Sequence, residues 1–248
     1  MLSFLQQFNM SLKNIFITID DAPSIHMHKK VDFLKKQNIS ALFYARGEFV
    51  EQHSEQIVYA IKNDFLIGNH SYSHPHFSTI SLTACFDEIK KTEKLLDQCY
   101  AKAKIKRPMK IMRFPFGDRG GTHEIALQQF LKIHNFMYFD FSTAFSHKNQ
   151  TMSLPKHKTM DLNNNSPNNS TIYSDNLDTY IDSLSDWDTL DYKSKYIQNP
   201  ELYRQKLELF FNAHKSNSAV ILMHDFEKNH HLFEITMDFL LSKNIAIY

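Results

Sequence analysis

Residues 14–24, NIFITIDDAPS, place two adjacent carboxylates, Asp20 and Asp21, directly after a short apolar, β-branched run. Neighbouring residues at a strand end point in different directions. One carboxylate can therefore hold a cation while the other accepts a proton. Asp-Asp-x-Pro is equally ordinary turn chemistry, so the pair acquires meaning only from partners downstream. His70-Ser71-Tyr72-Ser73-His74 supplies two imidazoles four residues apart. With 14 His in 248 residues that spacing arises readily by chance, and its weight comes from its place after the apolar run FLIGN. Two imidazoles and one carboxylate make an open three-ligand site for Zn²⁺. The same set also fits a non-haem Fe(II) centre. Arg113, in RFPFG, can clamp a carboxylate, and Pro115 ends the strand before it. His224, at the tip of the apolar run SAVILMH, is placed for proton transfer. Asp188 and Asp191 lie three apart in DTLDY.

The elements that must position these groups alternate. Apolar runs at residues 15–19, 40–45, 65–68, 109–114 and 218–223 read as buried strands. Helical spacing appears at 28–38, 51–63, 81–100, 122–134, 200–214 and 231–243, with Ser81 as a cap. Residues 135–140 are strand-like, 179–187 are weakly periodic, and residues 245–248 follow the last helix. Strand and helix in alternation call for a parallel sheet, open or closed, with helices outside. Function in such folds collects at the carboxyl ends of the strands. Asp20-Asp21, His70, Arg113 and His224 all fall there, and this shared placement is the main evidence for a site. Residues 14–248 are expected to form one domain. Residues 1–13 would be a tail or short helix, and the polar, aperiodic stretch 141–179 an insertion over the surface, a rim or lid.

Composition narrows the partners. The net charge is +1 with no basic block, which argues against nucleic acid or an anionic membrane as the main partner. Cys85 and Cys99 fall in one predicted helix, too far apart for a disulfide; free thiols suit a reducing compartment. The N-terminal segment lacks an apolar core of signal-peptide type, and no run is long enough for a transmembrane helix. A cytoplasmic location is the expectation. Tyr44, Tyr72 and Trp187 are candidates for stacking against sugar rings, although most aromatics here are more simply core.

Taken in order, these segments resemble the polysaccharide deacetylases of carbohydrate esterase family four, the NodB-homology domain. TIDDAPS resembles that family's T-F-D-D-G-P, HSYSH its H-[ST]-x-x-H, and RFPFG its R-x-P-Y. DTLDYKSK resembles D-x-x-D-W, and ILMHD resembles the last motif. Together they span about residues 15–226. The resemblance implies an α/β fold, a distorted (β/α)7-type barrel of mostly parallel strands with outer helices. It implies a hydrolase that removes N-acetyl groups from amino sugars and releases acetate, using one divalent metal: Zn²⁺, with Co²⁺, Ni²⁺ or Fe²⁺ as alternatives. Asp20 would be the general base, and Asp21, His70 and His74 the metal ligands. Arg113 would orient Asp20, and His224 would be the general acid, tuned by Asp191. The Phe116 N–H would hold the oxyanion, and Tyr192 and Leu222 would wall the substrate. Three positions depart from the pattern: Ala22 for glycine, Phe116 for tyrosine, and Tyr192 for tryptophan. Asp186-Trp187 is the offset alternative for the fourth motif. Two other functions remain open: hydrolysis of a small amide or imide on the same fold, and carbohydrate binding without catalysis.

Overall fold

The computed structural model describes residues 14–139, 141, 185–214 and 216–248. The expected tail 1–13 lies outside them. So does the expected insertion, apart from Phe141, which packs inside the protein at 4.9 Å from the Phe16 ring.

Strand β1 (Asn14–Ala22) is central. It pairs in parallel with β2 (Ala41–Ala45) on one side and β5 (Ser218–His224) on the other. β3 (Leu66–Asn69) lies beyond β2, and β4 (Trp187–Asp188) beyond β5. β6 (Ala246–Ile247) meets β1 at Asn14 and Ile15, below the start of β2. Two isolated parallel bridges, Asn69 to Met112 and Lys110 to Phe136, extend the row past β3. The chain around these strands is helical: α1 (Met27–Lys36), α2 (Gly47–Gln52), α3 (Ser54–Lys62), α4 (Leu82–Ala103), α5 (Glu124–Ile133), α6 (Ser194–Ile197), α7 (Pro200–Ala213) and α8 (His230–Leu241).

Side chains alternate between the two faces of a strand, and here both faces are buried. Ile15, Ile17, Ile19, Phe43, Ile67 and Ile221 pack against helix residues such as Leu34, Ile57, Leu96 and Leu240. The opposite face sends Phe16, Leu42, Leu66, Ile111 and Val220 into one cluster with Phe139 and Phe141. Residues from neighbouring strands meet one another there, as in a parallel sheet curled around its own interior. The described residues thus form a parallel sheet with helices outside, as a distorted barrel requires.

The inward face is also what delivers the chemistry. Stepping by two along β1 gives Phe16, Thr18 and Asp20; along β5 it gives Val220, Leu222 and His224. The row through β2 reads Leu42, Tyr44, Arg46, that through β3 reads Leu66, Gly68, His70, and the next reads Met109, Ile111, Arg113. The lowest layer is apolar and the top layer is ionisable. Gly68 belongs in the middle because a Cβ there would stand 2.7 Å from the Tyr44 ring and 2.9 Å from Ile111. Tyr44 occupies that space and lies 4.3 Å below the Arg113 guanidinium.

Three element expectations need correction. Residues 51–63 are not one helix: α2 starts earlier, and the chain breaks at His53 (φ −134°, ψ 42°) before α3. The early start follows from Gly47 and Glu48, whose N–H groups donate to the Ser71 and Tyr72 carbonyls and tie α2 to the histidine loop. Among the described residues, 109–114 and 135–139 form only the bridges named above. Pro115 ends the first, with Phe116 and Gly117 left-handed (φ 58° and 66°), and Asn135 (φ 59°) precedes the second. Tyr44 and Trp187 are buried, at 0% and 2% exposure, and do not serve as sugar platforms. Tyr72 has its ring under the Lys91 ammonium and its hydroxyl on Glu51.

Candidate active site

A cavity of about 570 Å³ opens at the carboxyl ends of the strands. Every residue of the top layer reaches it: Asp20, Arg46, His70, Arg113 and His224, with Asp21 beside them. Asp20 and His224 are register partners on β1 and β5.

Asp21, His70 and His74 bring one ligand atom each within 4.8 Å of one another. The His70 and His74 Nε2 atoms stand 3.2 Å apart, and His74 Nε2 lies 3.6 Å from Asp21 Oδ1. The donor set fits a divalent cation. Asp21 Oδ1 is buried without a hydrogen-bond partner, which is costly for a carboxylate unless a cation satisfies it. Burial and the neighbouring Asp20 push Asp21 up, although His70, His224 and Arg46 pull the other way. Burial, His70 and Arg46 push His74 down to about 3, so its imidazole is the neutral ligand form. The His70 Nδ1–H donates to the Arg113 carbonyl at 2.8 Å, which turns the Nε2 lone pair toward the site. Asp21, Ser71 and His74 all adopt left-handed backbone (φ 58°, 63° and 61°), conformations that persist only where the surroundings hold them. Because the left-handed residue is Asp21 and position 22 is extended strand, Ala22 fits where glycine is usual.

The histidine loop is clamped from α4. Glu88 accepts from the Tyr72 and Ser73 N–H groups at 2.8 and 2.7 Å, and from the Ser73 hydroxyl at 2.8 Å. Asn69 accepts from the Ser71 N–H and donates to Glu93, which pairs with Arg107 at 2.7 Å. Glu88 carries no sign of this role in the sequence, since it is one acid among several on a helix surface. Glu88→Ala is expected to leave the fold intact and weaken metal binding about 10–100-fold, measured by competition with a chelating dye. Unchanged affinity would mean that the loop holds its shape without the clamp.

On one side of the triad, Arg113 Nη1 donates to Asp20 Oδ1 at 2.7 Å and to the Thr18 hydroxyl at 2.9 Å. Burial alone would raise Asp20, but Arg113, His70 and His224 outweigh it and hold the carboxyl below its usual range. Thr18 carries no signal in its type; its place two residues before Asp20 is the signal. On the other side, His224 Nδ1 and Asp191 Oδ1 are 2.8 Å apart, and Asp191 Oδ2 accepts from the His224 N–H. Burial pulls the imidazole down, and Asp191, with Asp20 and Asp21 behind it, more than offsets this, raising it to about 9. Asp186 instead exchanges hydrogen bonds with the Val220 backbone in the ladder. Of the two alternatives for the fourth motif, Asp188–Tyr192 is therefore the one whose carboxylate contacts His224. Tyr192 packs edge-on against the His224 ring at 4.7 Å, and both it and Leu222 line the cavity. Phe116 lines it as well; its exposed ring stacks on His76 at 4.0 Å.

Among the described residues no helix is long and apolar enough to cross a membrane. Cys85 and Cys99 are buried free thiols, each raised to about 11 by burial.

The chain is 30% identical over 105 residues to a peptidoglycan-N-acetylglucosamine deacetylase of Bacillus cereus, covering 42% of this chain and 36% of that protein. It is 29% identical over 89 residues to a chitooligosaccharide deacetylase of Rhizobium leguminosarum, covering 35% and 41%. The matched segments thus span well under half of either relative. A family 4 carbohydrate esterase from Streptomyces lividans, solved with acetate, superposes with a TM-score of 0.59 at 16% identity, over 95% of this chain and 91% of that one. A family 4 pseudoenzyme from Bacillus anthracis superposes with a TM-score of 0.59 at 15% identity, over 95% and 63%. At such identity these two show the fold alone. The polysaccharide deacetylase family model matches residues 9–133, half of the chain, and the chain belongs to that family.

Proposed function

We propose that this protein is a metal-dependent hydrolase that removes N-acetyl groups from amino sugars in a saccharide. The observation that carries this reading is the pair Asp20 and His224. They are register partners on adjacent strands, both facing the ligand triad, and their surroundings push them in opposite directions. One is held as a carboxylate able to take a proton; the other is held as an imidazolium able to give one. Such divergence supports Asp20 as the base and His224 as the acid.

Asp21, His70 and His74 would hold the metal, with Zn²⁺ the best match to one carboxylate and two imidazoles and an open position. When bound there, a divalent metal supplies a Lewis acid for the amide carbonyl and lowers the pKa of water. Asp20, fixed by Arg113, takes the proton from the attacking water. The Phe116 N–H donates to the oxyanion; losing one such donor typically costs about 10²–10³ in rate. His224, charged through Asp191, protonates the departing amine, a poor leaving group without it. Tyr192 and Leu222 wall the acetyl side, and acetate and a free amino sugar result.

The test is acetate release from N-acetylglucosamine oligomers, peptidoglycan fragments and a nucleotide sugar, with metal-free protein and with Zn²⁺ or Co²⁺ restored. Acetate that appears only with metal supports the reading and begins to name the substrate. No acetate from any of them, with metal bound stoichiometrically, moves the reading to a small amide or imide.

A further inference from the structure

Lys30, in the middle of α1, is fully buried and forms an ion pair with Asp225 at 2.7 Å, with neither side chain exposed. Its ammonium stands 5.6 Å from the Phe233 ring. The proposed chemistry uses neither residue. For stability alone, a buried ion pair is no better than well-packed apolar groups of similar volume. What distinguishes this pair is what it holds. Lys30 donates to the His224 carbonyl at 3.2 Å. The Asp225 N–H donates to the Asp20 carbonyl at 2.8 Å. The Asp225 carboxylate accepts from the Ser24 N–H and hydroxyl at 2.6 and 2.8 Å. The backbone of the acid, the backbone of the base and the turn that follows the base therefore meet on one buried pair.

We infer that Lys30 and Asp225 are positioning residues that fix the separation of Asp20 and His224; the catalytic part of this inference rests on the function proposed above. The experiment compares the zinc-loaded full chain with Lys30→Met/Asp225→Asn, which removes both charges and leaves no unpaired one. Ser24→Ala is the milder variant, keeping both charges. The readouts are kcat, KM, zinc affinity and the proton NMR resonance of the His224 Nδ1–H bonded to Asp191. The double variant is expected to lose about 10²-fold in kcat, the scale of a small misplacement of reacting groups. KM and zinc affinity stay unchanged, and the His224 resonance shifts. Ser24→Ala loses about 3–10-fold in the same direction, since a fraction of that misplacement follows from one lost bond. A resonance at its original position in both variants overturns the inference, as does unchanged kcat in both. If the unmodified protein releases no acetate while the resonance still shifts in the double variant, the positioning stands and the deacetylase reading falls.

Discussion

Asp20→Asn is expected to lower acetate release about 10²–10⁴-fold, the range for loss of a general base, while zinc binding is retained. The amide is nearly isosteric, and its oxygen can still accept from Arg113 Nη1, now 2.7 Å from Asp20 Oδ1. Metal affinity is expected to persist because the proposed ligand triad is Asp21, His70 and His74, without Asp20. What disappears is the ability to take a proton. KM should move little, so the loss falls on kcat. Near-normal turnover with stoichiometric zinc would reject Asp20 as the base. Loss of zinc together with activity would mean that Asp20 is a ligand, since His70 Nε2 lies only 3.4 Å from its Oδ2.

His224→Ala is expected to cost a similar factor, about 10²–10⁴, again with metal retained. The more diagnostic form of this prediction is a pH profile. His224 is raised to about 9, so the protonated acid is present below that value and is lost as the pH rises through it. A cation at the triad pulls the value down, which places the alkaline limb of the loaded enzyme at or below about 9. In Asp191→Asn the burial that opposes the charge is no longer offset by the nearest carboxylate, and the limb moves to lower pH. The same sign applies to stability: the His224–Asp191 pair contributes fully below the ordinary histidine value of 6.5, and that contribution fades as the pH rises toward 9. An alkaline limb at the same pH in wild type and Asp191→Asn would remove His224 from the role of acid.

Much of this site is legible in the residues because its geometry is mostly local. A strand points alternate side chains to one face, so Thr18 and Asp20, or Leu222 and His224, are fixed relative to each other once the strand is recognised. The strand–helix alternation then implies parallel neighbours, and parallel neighbours bring all carboxyl ends to one side. From those steps alone, Asp20, His70, Arg113 and His224 fall together, and His74 follows from its distance to His70 along one short loop.

Other features depend on contacts between segments far apart in the chain. No local pattern separates Asp186 from Asp191 as the partner of His224; the register of β4 on β5 decides it, by consuming Asp186 in the ladder at Val220. Local pattern alone also fails at residues 51–63, where α2 starts early, tied to the Ser71–Tyr72 loop, and the chain breaks at His53. Glu88 reads as a surface acid until α4 lies against that loop. Lys30 reads as one more lysine of a charged helix until α1 turns it inward onto Asp225. The amino-acid sequence by itself determined the parallel strands and the placement of the two carboxylates, the imidazole pair and His224 at their ends, because each is written in short-range periodicity. Only the tertiary structure decided which carboxylate contacts His224, what clamps the histidine loop and where a buried ion pair lies, because those depend on partners well separated along the chain.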